Sequence, residues 1–161
     1  MAGFKGQAEN SIDDKGRVAL PAKMRRALHP DAGETFVATR GLERCVFLYP
    51  ANVWEDVEEK IGNLNTFQSE TRAFTRNILM WAEDTKLDGQ HRISLPKSLL
   101  DFAGLSAGNG SKALFIGALD HIEIWDPEIF EAYINGQASD YESVAERVMG
   151  GGPVTNGTSP S

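Results

Sequence analysis

Two aspartates and two arginines at fixed spacing are the residues of this 161-residue chain best suited to specific chemistry. Asp13 precedes Arg17 by four positions in DDKGR, and Asp88 precedes Arg92 by four in DGQHR. An aspartate at the head of such a turn can accept hydrogen bonds from backbone N–H groups two or three residues on. Gly16 can take the positive φ that the turn requires. In the second copy the glycine stands at Gly89, and His91 occupies the place of Gly16. Histidine is one of the few other residues enriched at positive φ. Asp13, Gly16, Asp88 and Gly89 are therefore expected to stabilise the turns. An arginine on a rigid turn presents a planar fork suited to guanine or phosphate. The plainer alternative is that each arginine only pairs with its own aspartate. Against it stand Lys15, Lys23, Arg25 and Arg26, which crowd the first copy with cations that call for an anionic partner.

The elements that must position these residues occur twice. SIDDKGRVALPAKMRRAL at 11–28 returns in outline as KLDGQHRISLPKSLLDFA at 86–103, an interval of 75 residues. GLERCVFLYPANVWEDV from Gly41 aligns without a gap on GALDHIEIWDPEIFEAY from Gly117, an interval of 76. One loop insertion would explain the difference. RVAL and RISL alternate as strands do, with Val18 and Leu20, and Ile93 and Leu95, on one face. Proline then opens a short helix, in which Met24 and Leu28 correspond to Leu99 and Ala103 as an inward stripe. TFVAT with CVFLY, and KALFIG with HIEIW, read as hairpins. Pro50 and Pro127 introduce a helix in each copy, the first with Val53, Trp54, Val57 and Ile61 at helical spacing and Gly62 as a C-cap. Between the copies, Phe67, Phe74, Ile78 and Trp81 fall near one face of a connecting helix expected to pack on the core. Tyr141, Val144, Ala145 and Val148 make a weak amphipathic run near the end.

A unit of this size buries too little core alone, so two copies completing each other's sheet are expected. The fold class that follows is α+β and β-rich, a barrel with pseudo-twofold symmetry and flanking helices. The expected limits are a first repeat over 4–62, a linker helix over 63–79, a second repeat over 80–134, and a largely disordered tail over 135–161.

Composition narrows the function. The chain is 41% hydrophobic and 24% charged, as a globular protein with an ordinary core is. It lacks an apolar run long enough for a membrane span and a basic-then-apolar leader, so a cytoplasmic protein is expected. The single cysteine, Cys45, excludes an internal disulfide and reads as a small buried hydrophobe. The net charge of −7 is unevenly spread. Residues 1–30 carry six cations against three carboxylates, and residues from Asp126 on carry one cation against six. A local basic face can thus bind a polyanion despite the total. GLSAG at 104–108 fits the Gly-x-Ser-x-Gly pattern but lacks the large α/β sheet that such a nucleophile needs, and Gly104 reads better as a helix cap. His29, His91 and His121 are too scattered for a metal site, and no Gly-rich phosphate loop is present. No enzyme, metal or cofactor is expected.

GRVALPAKMR and HRISLPKSLL resemble the turn–strand–helix of AbrB-type transition regulators and antitoxins. The duplication, with FKGQAENSIDDKGR, TRGLERCVFLYP and TRAFTRN, resembles the MraZ family, regulators tied to bacterial cell-division and cell-wall genes. The resemblance covers about residues 4–133. It implies a swapped-hairpin AbrB-like barrel built from two halves of one chain. It also implies a ring of several subunits that binds repeated DNA boxes upstream of its own operon, in the cytoplasm and at the nucleoid. The family's Asp-x-x-x-Arg motifs face double-stranded DNA, a role that falls here on Asp13 to Arg17 and Asp88 to Arg92. Arg17 would read or clamp DNA, Lys15 and Arg92 would assist, and Lys23 and Arg25 would hold phosphates. His91 departs from the family, whose second motif usually has glycine there. The competing reading is an antitoxin-like or other protein-binding module that uses the acidic helices WEDVEEK and DPEIFEAY.

Overall fold

The computed structural model describes residues 3–150, in two compact units that divide between Ile129 and Phe130. The first half of the chain forms β1 (Gln7–Ser11), β2 (Arg17–Ala19), α1 (Ala22–Arg26), a 3-10 turn over Pro30–Ala32, β3 (Thr35–Arg40), β4 (Val46–Pro50) and α2 (Ala51–Gly62). After the connecting helix α3 (Ser69–Met80) come β5 (Glu83–Lys86), β6 (Arg92–Ser94), α4 (Lys97–Ala103), β7 (Lys112–Gly117), β8 (Ile122–Trp125) and α5 (Pro127–Asn135). A last helix, α6 (Tyr141–Met149), lies in the second unit.

Six antiparallel strands form one sheet in the order β1–β7–β8–β4–β3–β5, and β2 pairs with β6 as a separate ribbon. The order interleaves the two halves. β1 of the first half lies on β7 of the second, β5 of the second lies on β3 of the first, and β4 meets β8 between them. Each hairpin therefore takes the other half's leading strand as its neighbour, which is why one repeat cannot finish its own sheet. The duplicated, mutually completing α+β fold follows from this topology. Among the described residues the backbone ladders do not run continuously around a barrel. β1 and β5 are the sheet's two edges; the ribbon meets the β1 side through the isolated bridge Ile12–Val18 and the β5 side through the Ser94 amide on the Thr85 hydroxyl.

The core lies beneath the ribbon. Val18 and Ile93 face each other across it and are fully buried, together with Phe36, Ala38, Val46, Leu48, Phe115, Ile122 and Ile124. Met24 of α1 and Leu99 and Ala103 of α4 are buried as their stripes require, and Leu28 packs against the same core. Each large apolar side chain contributes roughly 1.5–3 kcal/mol on burial, so pinning the ribbon to the core is strongly favoured.

Several expectations need correction. The hairpins are not equal in length: Arg40–Val46 closes a loop of five residues, 41–45, and Gly117–Ile122 closes one of four, 118–121. The gapless match of Gly41 with Gly117 therefore fails in space, where Gly117 ends β7 and Gly41 lies beyond the end of β3. A Cβ on Gly117 would fall on the backbone of Phe4 and Lys5, and that close approach explains the glycine. Gly62 does not cap α2; it is the last helical residue, and Asn63 follows in right-handed conformation at φ −89°. Phe67 does not face the core: it precedes α3 and is almost wholly exposed, and α3 buries none of its own residues. Its end is held instead by Thr39, whose buried hydroxyl donates to the Ile78 carbonyl at 2.6 Å. The stretch expected to be mostly disordered carries α6, capped by Asp140, whose carboxylate accepts from the Ser143 amide at 2.8 Å. Residues 151–161 of that stretch lie outside the described residues.

Candidate nucleic-acid interface

Both turns are built from the aspartate upward. Asp13 Oδ1 accepts from the amides of Lys15 at 3.0 Å and Arg17 at 2.8 Å, while Oδ2 accepts from Arg17 Nε at 2.7 Å. Asp88 repeats the arrangement, accepting from the amides of Gln90 at 2.8 Å and Arg92 at 2.9 Å and from Arg92 Nε at 2.9 Å. The carboxylate thus closes the turn and aims the guanidinium in one step. Backbone donation from Arg17 chiefly holds the Asp13 carboxyl below its ordinary value, and donation from Arg92 does the same for Asp88.

Gly16 takes φ +78° and His91 φ +59°. The two are structural counterparts: the Gly16 carbonyl accepts from the Leu95 amide, and the His91 carbonyl from the Leu20 amide, both at 3.0 Å. The second turn therefore keeps its shape with a histidine at the left-handed position. Gly89 has no positive φ, and a Cβ there would meet nothing. His91, not Gly89, supplies the left-handed backbone of that turn.

The ribbon register sets Arg17 opposite Ser94 and Ala19 opposite Arg92, so the two arginine turns are brought side by side. Arg92 Nη1 lies 3.6 Å from Asp13 Oδ2, the oxygen that Arg17 also holds. Among the described residues no ion pair links Arg17 to Asp88 in return. Both arginine side chains are partly covered, 33% exposed for Arg17 and 25% for Arg92. Their Nε atoms are engaged, and the terminal nitrogens of Arg17 make no hydrogen bond among the described residues. Such a fork is pre-organised for an acceptor pair outside the protein.

The remaining cations stand nearby in sequence but apart in role. Lys15 sits exposed at the tip of the first turn, where the second carries Gln90. Lys23, exposed on α1, has its ammonium beside Gly6, and Arg25 on the same helix is half-buried. Among the described residues none of the three is in an ion pair.

Two positioning residues escape sequence reasoning. Asn10 Nδ2 donates to the Ala19 carbonyl at 2.6 Å, and the buried Thr85 hydroxyl accepts from the Ser94 amide at 3.0 Å. These equivalent sites tie the ribbon to β1 and to β5 with the direction of donation reversed. Only the spacing of 75, applied to the polar residues upstream of each turn, would have exposed them. Ser106 of GLSAG is exposed, while Gly104 ends α4 in left-handed conformation at φ +68°.

A duplicated AbrB-like α+β fold with paired Asp–Arg turns on a central ribbon defines the class. The chain belongs to the MraZ family: the family model described as "MraZ protein, putative antitoxin-like" matches residues 4–77 and again 78–150. It is 42% identical to the "Transcriptional regulator MraZ" of Natranaerobius thermophilus over 91% of this chain and 96% of that one. It is 38% identical to the proteins of the same description from Caldanaerobacter subterraneus subsp. tengcongensis and Thermoanaerobacter sp. (strain X514), over 89% of this chain and 94% of each relative. Among the described residues no helix is long and apolar enough to cross a membrane.

Proposed function

We propose that this chain is a sequence-specific, DNA-binding transcriptional regulator that contacts double-stranded DNA through its two Asp–Arg turns. The observation that carries the reading is the side-by-side pair of turns, each holding its arginine by Nε, with both terminal nitrogens of Arg17 and Nη2 of Arg92 left for bases or phosphates. The relatives' name, transcriptional regulator, supports the same reading. Arg17 and Arg92 read or clamp, Asp13, Gly16, Asp88 and His91 hold the turns in shape, and Lys15, Lys23 and Arg25 serve the phosphate backbone. The targets are repeated boxes upstream of the protein's own operon, in a cell-division and cell-wall gene cluster. Assembly into a ring, at the nucleoid in the cytoplasm, lets several modules engage those boxes at once and multiplies a weak single contact.

The test is fluorescence anisotropy with DNA from upstream of the gene, against scrambled DNA of equal length, at two salt concentrations. Wild type should bind the native sequence more tightly, with affinity falling as salt rises. Each lost arginine–guanine contact costs about 1–3 kcal/mol, so Arg17→Ala with Arg92→Ala should weaken binding about thirty-fold or more. Unchanged affinity in the double variant refutes the assignment. Negligible binding of wild type to either DNA at low salt refutes the regulator and leaves the protein-binding module that "antitoxin-like" suggests.

A further inference from the structure

The Asp–Arg turns account for neither of two unpartnered apolar faces. One is on α6, where Tyr141, Val144, Ala145 and Val148 fall at i, i+3, i+4 and i+7, the stripe of a helix made to be covered. Tyr141 is nevertheless 82% exposed and Val148 71%. Glu142 and Glu146, one turn apart, run along one flank of the stripe, and among the described residues neither is in an ion pair.

The other face is a groove of about 550 Å³ between α2, α3 and the β3–β4 hairpin. Val57 and Ile61 of α2, Phe74 and Ile78 of α3, and Phe47 and Tyr49 of β4 supply its apolar wall. Its only charged lining residues are Arg40 and Lys60, without a carboxylate. Neither cation is in an ion pair among the described residues, although Arg40 also lies over the Phe102 ring at 4.4 Å. At its mouth Leu64 and Phe74 remain more than 40% exposed.

We infer that α6 of one copy docks in the α2–α3 groove of a second copy, with Glu142 and Glu146 set against Lys60 and Arg40. Three properties match. The anchors stand at the spacing with which an amphipathic helix occupies an apolar groove. The nine residues of α6 span about 13 Å, within the ~18 Å of the twelve-residue α2. The charges are of opposite sign and are unpaired on both sides. Donor and acceptor are different surfaces, so the contact is heterologous, the kind that generates a ring when its rotation closes. The inference rests on the self-assembly proposed above and names the contact that makes it.

Light scattering on size-exclusion fractions of the full chain tests it. Wild type should elute as a multimer of the 17.6 kDa chain. Val144→Asp with Val148→Asp, both at exposed positions, should give a single-chain mass with an unchanged circular-dichroism spectrum. Lys60→Glu should shift the equilibrium toward monomer, and adding Glu146→Lys should restore the multimer. A mixture of Val148→Cys chains with Leu64→Cys chains should form an intermolecular disulfide on oxidation, with the buried Cys45 taking no part. A multimeric wild type whose mass survives the two aspartates overturns this contact and leaves the ring standing. A cross-link that forms only when one chain carries both cysteines overturns it too. A wild type that is monomeric throughout overturns the ring and the contact together.

Discussion

Gly16 and His91 occupy equivalent left-handed positions, and exchanging their chemistry separates strain from packing. A side chain at φ +78° costs about 1–2 kcal/mol, and the smaller entropy of the unfolded chain returns about 0.5–1 kcal/mol when glycine becomes alanine. At Gly16 a new Cβ would also stand 2.9 Å from the Leu95 carbonyl oxygen and 3.2 Å from Leu100 Cδ1. That carbonyl belongs to the backbone just past β6, whose Leu95 amide bonds to Gly16 itself, so it yields poorly. Roughly another 1 kcal/mol brings the expected loss for Gly16→Ala to about 2 kcal/mol. His91→Gly relieves the strain of a residue tolerant of that region and restores the entropy of glycine. The two nearly cancel, and the net change should stay within about 1 kcal/mol. Urea unfolding followed by circular dichroism measures both, with the m-value as a check that only stability has changed. The corresponding melting shift for Gly16→Ala is about 4–8 °C at this chain length. A harmless Gly16→Ala would refute the close approach to Leu95. A gain in His91→Gly as large as the loss in Gly16→Ala would refute the claim that packing makes the two positions differ.

The acid response should follow from the turns. Both aspartates titrate below their ordinary value of 3.8 when folded, so their contribution is complete above that value and drains away as pH falls through the folded values. Urea midpoints measured from pH 7 down to 3 should decline at the acid end, and Asp13→Asn with Asp88→Asn should flatten that decline. Leu99→Ala removes a fully buried side chain of α4 and should cost about 3 kcal/mol by thermal or urea unfolding, leaving DNA affinity intact wherever the protein is folded. Thr39→Val deletes the buried hydroxyl that holds the end of α3. It should cost about 1–2 kcal/mol and speed amide exchange in α3 ahead of the sheet.

Legibility in the sequence tracked how local each interaction is. The Asx turns could be read because every partner of Asp13 and Asp88 in them lies within four residues. The helix stripes Met24 and Leu99 announced themselves through spacing and burial. β1 and β5 did not, because QAENS and EDTK are mostly polar edge strands with Thr85 the one buried residue between them. Their identity depends on β7 and β3, far away in the chain. The contact of Arg92 with Asp13 was hidden for the same reason, since it exists only in the register of the β2–β6 ribbon. The two hairpins differ in loop length, which side-chain type does not reveal: Gly41 and Gly117 look equivalent, but only Gly117 passes against the backbone of Phe4 and Lys5.

Joining the two repeats in one chain has a consequence at the ribbon that a symmetric dimer of single repeats would not allow. In such a dimer both turns would be chemically identical. Here the tip position is a charged Lys15 in one turn and a neutral Gln90 in the other, and the left-handed position is Gly16 in one and His91 in the other. Arg92 leans toward Asp13 without a return contact from Arg17 to Asp88. The tethers below the ribbon diverge as well, Asn10 donating where Thr85 accepts. The backbone geometry of the pair is thus held by hydrogen bonds to carbonyls and amides, which any residue can supply, while the side chains presented outward differ. If the turns contact DNA as proposed, a twofold scaffold that carries two different tips would distinguish the two ends of a box and give each module a direction on it.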